Sequence, residues 1–410
     1  MLRLIYFEIR KNFLRKHIII FLLSFLTLNF IYFNITFIDN EYFFRIGIDA
    51  KMQWKGYYEL HNKLDGKLTK EKINFIIEEN NRLDKIISEG TYSKKYQKDS
   101  YTGYIFGDMY LINKYFYNPI KYLTYYKKNN DELVDNANKN ITFYNKYNNK
   151  YEVKKNKFIT RHYSGRQISD FYETVNWEQL FEYSFSDLLI ISILVVSLVP
   201  IYVNEKKTKM NKLILTCDKG DINYIYAKII AVFIFIFSLI SIFSIENFLL
   251  EKIYYNLSGY NMPLYSIEAY QNTPLNISIL NFYLLLNSLK ILGVFNFSLI
   301  LMLLSLISKK VVIPFLVSCF FIVISIFSSA YFNSIYLGKA VIALINPFTL
   351  LRGEKLFVDL FSLNIFNKFY FSPVIAIVAN IFFTITLILI FKKLGMNKEK
   401  KEVKFCLFTK

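Results

Sequence analysis

Residues 188–245 read LLIISILVVSLVPIYV, then NEKKTKMNKLILTCDKGDINYIYAK, then IIAVFIFIFSLISIFSI. Two apolar runs flank a basic, mostly polar segment, 204–228. A helix needs about 20 apolar residues to cross the hydrocarbon core of a bilayer. The run at 187–203 is short for that, and Phe181, Tyr183 and Phe185 extend it as an aromatic belt at the interface. The middle segment is too small to be a domain. It reads as a loop pinched between two membrane helices, and the excess of lysine over acid places it on the cytoplasmic side.

The rest of the chain fits that reading. Of its 410 residues, 54% are hydrophobic and 19% aromatic, and the apolar ones cluster in long runs. Six runs are predicted to span: 18–38, 187–203, 226–245, 289–308, 311–330 and 372–391. The expected fold class is an all-α polytopic membrane protein with six transmembrane helices. The first run follows Arg10, Lys11, Arg15 and Lys16, as a signal peptide would, but its apolar core is long and no small-x-small cleavage site follows. It reads as an uncleaved anchor.

Charge sets the orientation. Segments 1–17, 204–228, 309–310 and 392–410 carry 20 basic residues against six acidic ones, whereas loops 246–288 and 331–371 carry five of each. The positive-inside rule then puts both termini in the cytoplasm. Residues 39–184 hold 24 Lys/Arg and 20 Asp/Glu and are long enough to translocate regardless of charge. The formal net charge of +18 therefore belongs to the membrane part, which argues against a nucleic-acid partner. Pro314 and Pro373 fall in the first turns of spans five and six, and Pro200 is expected to kink or end span two.

Residues 39–186 are expected to form a mixed, mostly helical extracytoplasmic domain. Thr69 can cap a helix with Glu71 in its first turn, Ile73, Ile76, Ile77, Leu83, Ile86 and Ile87 follow at helical spacing, and Gly90 can end it. Residues 101–126 fit helix or strand. Residues 129–160, nearly all Asn, Lys and Tyr, read as an exposed loop or extended hairpin. Trp177 reads as an interfacial anchor. His61 and His162 are about a hundred residues apart, and neither His-Glu-x-x-His nor Gly-x-Ser-x-Gly occurs. Cys217, Cys319 and Cys406 have no metal-site spacing. The phosphate cradle Gly-x-x-x-x-Gly-Lys-Ser/Thr is absent, so the chain is expected to be no enzyme and to bind no cofactor itself.

Three local patterns and their order resemble ABC-2 type permeases, the membrane subunits of bacterial ABC exporters, over nearly the whole chain. The first runs from Glu205 through the basic linker to Leu213-Ile214-Leu215-Thr216, Lys219-Gly220 and Ala227-Lys228. The family more often has glycine before the basic residue. The second, Lys67-Leu68-Thr69-x-Glu71-Lys72, is similar to the start of the external insert in one Gram-positive subgroup. The third is Asn346-Pro347-Phe348-Thr349 ahead of the last span.

The resemblance implies a permease of the bacterial plasma membrane moving a peptide or lipid-like amphiphile. It implies three partners: a separate ATPase subunit that binds ATP, a second permease copy or sister permease, and membrane lipid. It also makes 204–225 the coupling loop, with Glu205, Met210, Leu213, Ile214, Gly220 and Lys228 as its coupling residues. Met210, Leu213 and Ile214 share one face at i, i+3, i+4 spacing, Gly220 permits a reversal, and Glu205 is expected to pair with Lys209. A solvated loop binding anionic lipid is the plainer alternative.

Leu2, Ile5, Ile9 and Phe13 make 1–17 an interfacial helix that also touches the ATPase in such permeases. Asn346 and Pro347 would lie in a re-entrant or external segment, 331–371. Lys290 is expected to snorkel from the outer end of span four, and Asn287 and Asn296 to pack helices. A second functional class stays open: a sensor or immunity protein whose extracytoplasmic domain binds a peptide.

Overall fold

The computed structural model describes residues 1–40, 50–90, 100–210, 222–255, 257–334 and 336–408. Six helices are long and apolar enough to cross a membrane: Lys16–Thr36, Val175–Lys207, Asn223–Tyr254, Ile279–Ile307, Val312–Ser329 and Ser372–Leu394. The chain is a mostly helical, multi-pass membrane protein. The second and fourth of these helices form the centre of the bundle, with 72% and 61% of their most apolar stretch buried, against 17% for the first and 22% for the fifth and sixth.

Helix α1 (Leu2–Asn12) precedes α2 (Lys16–Asn40), the first apolar helix. Most described residues of α2 are exposed, and polar contacts fasten it. The Asn29 amide, fully buried, donates to Glu246 Oε2 (2.9 Å) and Asn247 Oδ1 (2.8 Å) and accepts from the Tyr183 hydroxyl (3.0 Å). An amide buried among apolar helices is held by such bonds because it has no water to turn to.

A helical block follows: α3 (Ala50–Leu64), α4 (Lys70–Glu89), α5 (Ile105–Ile112), a π-helical turn (Asn113–Tyr117), α6 (Asn118–Lys146) and α7 (Lys150–Tyr163). Thr69 caps α4 by accepting from the Lys72 amide, and Gly90 ends it in the left-handed region, as their types predict. Asp108, fully buried, gathers residues 100–102: it accepts from Ser100 Oγ, Tyr101 N, Thr102 N and Thr102 Oγ at 2.5–3.1 Å. Gly56 lets that turn lie against α3, since a Cβ there would meet the Tyr101 carbonyl oxygen at 2.5 Å. Strand β1 (Gly66–Lys67) pairs antiparallel with β2 (Asp170–Phe171) and closes the block.

Residues 129–160 are a correction to the sequence reading. They form two antiparallel helices, α6 and α7, and not a loop or extended hairpin. The reversal at 147–149 is built by asparagine: Asn148 takes a positive φ of 54° and the Asn149 side chain caps α7 through Glu152 N. Asparagine also replaces leucine in part of the seam, with Asn140 on Asn156 (3.3 Å) and Thr160 on Asn138 (3.2 Å). That polar seam hid the helical period. Residues 105–126 are helical as well.

Helix α8 (Val175–Glu182) leads into α9 (Phe185–Leu198) and α10 (Ile201–Lys207), with Pro200 at the break between the last two. Helices α11 (Ile222–Tyr254) and α12 (Ile279–Ile307) are joined by two 3-10 turns, and α13 (Val312–Ser329) follows. Three short helices, α14 (Leu337–Ile345), α15 (Pro347–Leu351) and α16 (Gly353–Leu356), lead to the hairpin β3 (Ser362–Ile365) and β4 (Lys368–Phe371), then α17 (Ser372–Phe408).

Trp177 is also corrected. It is buried within the protein, not at an interface, and its indole N–H donates to the Ser258 carbonyl (2.7 Å). The block rests on this same 255–278 connection. The Arg166 guanidinium donates to Thr273 O (2.8 Å) and Asn276 Oδ1 (2.9 Å) and lies over the rings of Tyr163 and Tyr265.

Candidate functional site

At the end of the bundle where α10 stops and α11 starts, four charged side chains are drawn together out of solvent. Glu205 stands in the last turn of α10 and Lys228 in the second turn of α11. Lys228 is fully buried and Glu205 nearly so. The Lys228 ammonium donates to both Glu205 oxygens at 2.8 Å, to the Tyr224 hydroxyl at 2.5 Å, and lies 4.0 Å from the centre of the Tyr202 ring. The Tyr224 hydroxyl donates to Glu205 Oε1 at 2.5 Å. Tyr224 and Lys228 meet because they are one helical turn apart.

Helix α1 completes the cluster. Its Lys11 ammonium bonds Glu205 Oε1 and lies 3.6 Å from Glu8 Oε1, while Glu8 Oε2 accepts from Asn12 Nδ2 (2.7 Å) and lies 3.8 Å from Lys228. Glu8, Lys11 and Asn12 occupy one face of α1 at i, i+3, i+4 spacing. Two carboxylates face two ammonium groups, so the formal charges cancel. Removing four charges from water is costly, and mutual pairing offsets that cost only while every partner is present. The arrangement is a joint: α1, α10 and α11 meet at Glu205, and none can shift alone without exposing an unpaired charge.

Lys206, beside the cluster, fixes the helix below. Its ammonium donates to the carbonyls of Ser305 (3.3 Å), Leu306 and Ser308 (2.9 Å), the C-terminal end of α12, where a cation is favoured. The Ser305 hydroxyl in turn bonds Tyr202 N (3.0 Å).

The expected coupling residues divide. Glu205 and Lys228 are brought together in the joint. Glu205 pairs with Lys11, Lys228 and Tyr224 instead of Lys209, whose positive φ of 56° turns the chain away as α10 ends. Met210 is half-buried just beyond the end of α10. Leu213, Ile214 and Gly220 lie outside the described residues. Glu8, Lys11, Asn12, Tyr202 and Tyr224 escaped sequence reasoning. The one available signal was Glu8, the sole acid among the first 38 residues.

Asn346 and Pro347 start α15. The Asn346 side chain caps it through Phe348 N (3.0 Å) and donates to Ser325 O (2.6 Å) and Ser328 Oγ (2.9 Å) on α13. Pro347 fills the first helical position. Helix α15 lies against Gly293 of α12, where a Cβ would meet the Pro347 carbonyl oxygen at 2.6 Å. Lys290 has a partner on another helix. It bonds Asp187 Oδ1 on α9 (3.0 Å). Asn296 and Asn287 pack helices as expected: the Asn296 amide donates to Asn380 O and Oδ1 on α17, and Asn287 Oδ1 accepts from Ser244 Oγ on α11.

Another buried carboxylate lies in the block. Glu173, fully buried just before α8, accepts from Val175 N (2.5 Å), Asn176 Nδ2 (2.5 Å) and the Tyr57 hydroxyl (3.3 Å). Burial pushes its carboxyl up to about 7, against the opposing pull of nearby His61 and these hydrogen bonds. Among the described residues no group of three or more His, Cys, Asp or Glu could hold a metal ion.

Compared with protein-family models, with curated proteins and with solved structures, the chain finds no match in any of the three.

Proposed function

We propose that this chain is the permease subunit of an ABC-2 type exporter in a bacterial plasma membrane. In this reading both termini and the 208–221 loop face the cytoplasm, and the block between the first two spans faces outward. A separate ATPase subunit hydrolyses ATP, and a second permease, identical or sister, completes the path for an amphiphilic substrate. The single observation that carries the reading is the joint at Glu205. The two helix ends that bracket the loop are clamped at its base by Lys228 and tied to α1 by Lys11. A push on such a loop passes into α10 and α11 as one body. A flexible base would absorb it.

Two measurements test this. In a variant keeping only Cys217 (Cys319→Ser, Cys406→Ser), an impermeant maleimide added to intact cells should leave the loop unlabelled until the membrane is opened. Labelling from outside reverses the topology. In vesicles holding the chain with the ATPase encoded beside it, ATP should drive export of an amphiphilic peptide, and Lys228→Met should reduce export to background. Export by Lys228→Met at the unmodified rate removes the joint from the mechanism. Peptide binding without any ATP-driven flux supports the sensor reading.

A further inference from the structure

Where α15 ends, the chain reads Arg352-Gly353-Glu354-Lys355, three charges around one glycine. Gly353 lies against α12, where a Cβ would meet the side chains of Leu286 and Leu289 at 3.2 Å. That close approach seats the turn beside Lys290. A cavity of about 170 Å³ opens there, between the turn, Lys290, and Glu182 and Asp187 at the α8–α9 junction. Asp187 stands in the first turn of α9, so the cavity is level with the start of an apolar helix, the depth of lipid headgroups.

Three acids and three bases line this cavity, and only two of them are paired. Lys290 and Asp187 bond each other at 3.0 Å. Among the described residues no ion pair engages Glu182, Arg352, Glu354 or Lys355. Arg352 and Lys355 are exposed, whereas Glu354 is only 7% exposed. Burial raises the Glu354 carboxyl to about 7, against the pull of Lys290 and of its own backbone amide. A carboxylate at that depth is ordinarily matched by a cation, and here the cavity leaves room for one. The same turn holds two uncommitted cations of its own. The arrangement suits both ends of a zwitterion: an ammonium on Glu354 with Glu182 beside the cavity, and an anion on the Arg352 fork and Lys355. The volume is below that of a drug-sized pocket and fits a small polar head.

We propose that this cavity binds a zwitterion with a primary ammonium and a phosphodiester, either as a lipid headgroup or as a soluble molecule. Its occupancy does not depend on whether the chain is ATP-coupled. The test uses the full chain in phosphatidylcholine nanodiscs with radiolabelled glycerophosphoethanolamine, subtracting uptake by empty nanodiscs. Binding should saturate, and glycerophosphocholine, whose nitrogen has no hydrogen to donate, should compete about tenfold more weakly. Glu354→Gln and Arg352→Gln should each weaken binding about tenfold. Arg352 is exposed, so Arg352→Gln leaves the fold intact. Between pH 6 and pH 8 binding should strengthen about tenfold as Glu354 gives up its proton, a trend that Glu354→Gln flattens. The other charged or titratable groups facing Glu354 are Glu182, Tyr183, Asp187, Lys290, Arg352 and Lys355 around the cavity and Tyr270 from the 255–278 connection. Repeating the assay in nanodiscs that contain phosphatidylethanolamine identifies the source. Loss of probe binding assigns the site to the lipid headgroup, unchanged binding assigns it to a soluble zwitterion, and both support the chemistry. Uptake that does not saturate by about 10 mM, equal competition by glycerophosphocholine, or Arg352→Gln binding like the unmodified chain would each overturn the proposal. None of these outcomes bears on the Glu205 joint, which is read by ATP-driven flux.

Discussion

Glu205 and Glu173 are both carboxylates lifted out of water, and they are handled in opposite ways. Glu205 has two ammonium groups, Lys11 and Lys228, within bonding distance. Glu173 has neutral donors: two backbone amides, an asparagine and a phenol. Two fixed cations make a permanently charged, mechanically stiff joint. Neutral donors make a site whose protonation is settled near neutrality, because the pull of nearby His61 and these hydrogen bonds do not offset full burial. The difference separates a charged joint between three helices from a carboxylate held within one block by neutral groups.

The sharpest way to break this contrast is Lys228→Met. It leaves Glu205 and Glu8 sharing Lys11, and unfolding in detergent should show a loss of about 3–5 kcal/mol. Adding Glu205→Gln should restore more than half, because the stranded charge is gone. A single-variant loss below about 1 kcal/mol would mean the cluster is no joint.

Next comes pH. The folded carboxyl of Glu173 holds its proton up to about 7, above the unfolded value, so its contribution is present at low pH and lost as pH rises through 7. Relative to Glu173→Gln, the unmodified chain should be equally stable at pH 4 and weaker by at most about 3 kcal/mol at pH 8. Using the variant as reference removes the parallel contribution of Glu354, whose buried carboxyl is also raised to about 7. A pH-independent difference would mean that the Glu173 carboxyl does not change its protonation state across this range.

Smaller effects test how α15 is seated. Gly293→Ala pushes a methyl into the Pro347 carbonyl and should cost about 1–3 kcal/mol in thermal unfolding. Asn346→Ala removes a cap and two bonds to α13 and should cost about 1–2 kcal/mol. At the low end, Lys128→Ala, which breaks an exposed i, i+4 pair with Glu132, should move stability by no more than about 0.5 kcal/mol.

The six apolar helices were legible because length and composition alone announce a span. Thr69 and Gly90 were legible because a cap is a local, chemical requirement. The α6–α7 pair was not, since asparagine and threonine fill part of its seam and leave a weak apolar period. Glu205 stood out by position, but its partners did not. Lys11 lies 194 residues away in sequence and Lys228 lies beyond the loop, and neither spacing marks a contact until the helices are in place. The partner of Lys290 was hidden for the same reason: its counter-charge, Asp187, belongs to another helix. Local chemistry was readable, and pairing across helices was not.

The two-rung ladder of Gly66–Lys67 on Phe171–Asp170 is extended by Leu68 N bonding Ser169 O (2.9 Å), and it brings the two ends of a long excursion side by side. Everything from 69 to 168 leaves and returns through one neck. A chain tied in this way has both ends of the excursion fixed relative to each other, whatever the length between them. The ladder thus fixes where that excursion begins and ends, while Tyr122, Tyr151 and Tyr163 set how it leans on the rest of the chain.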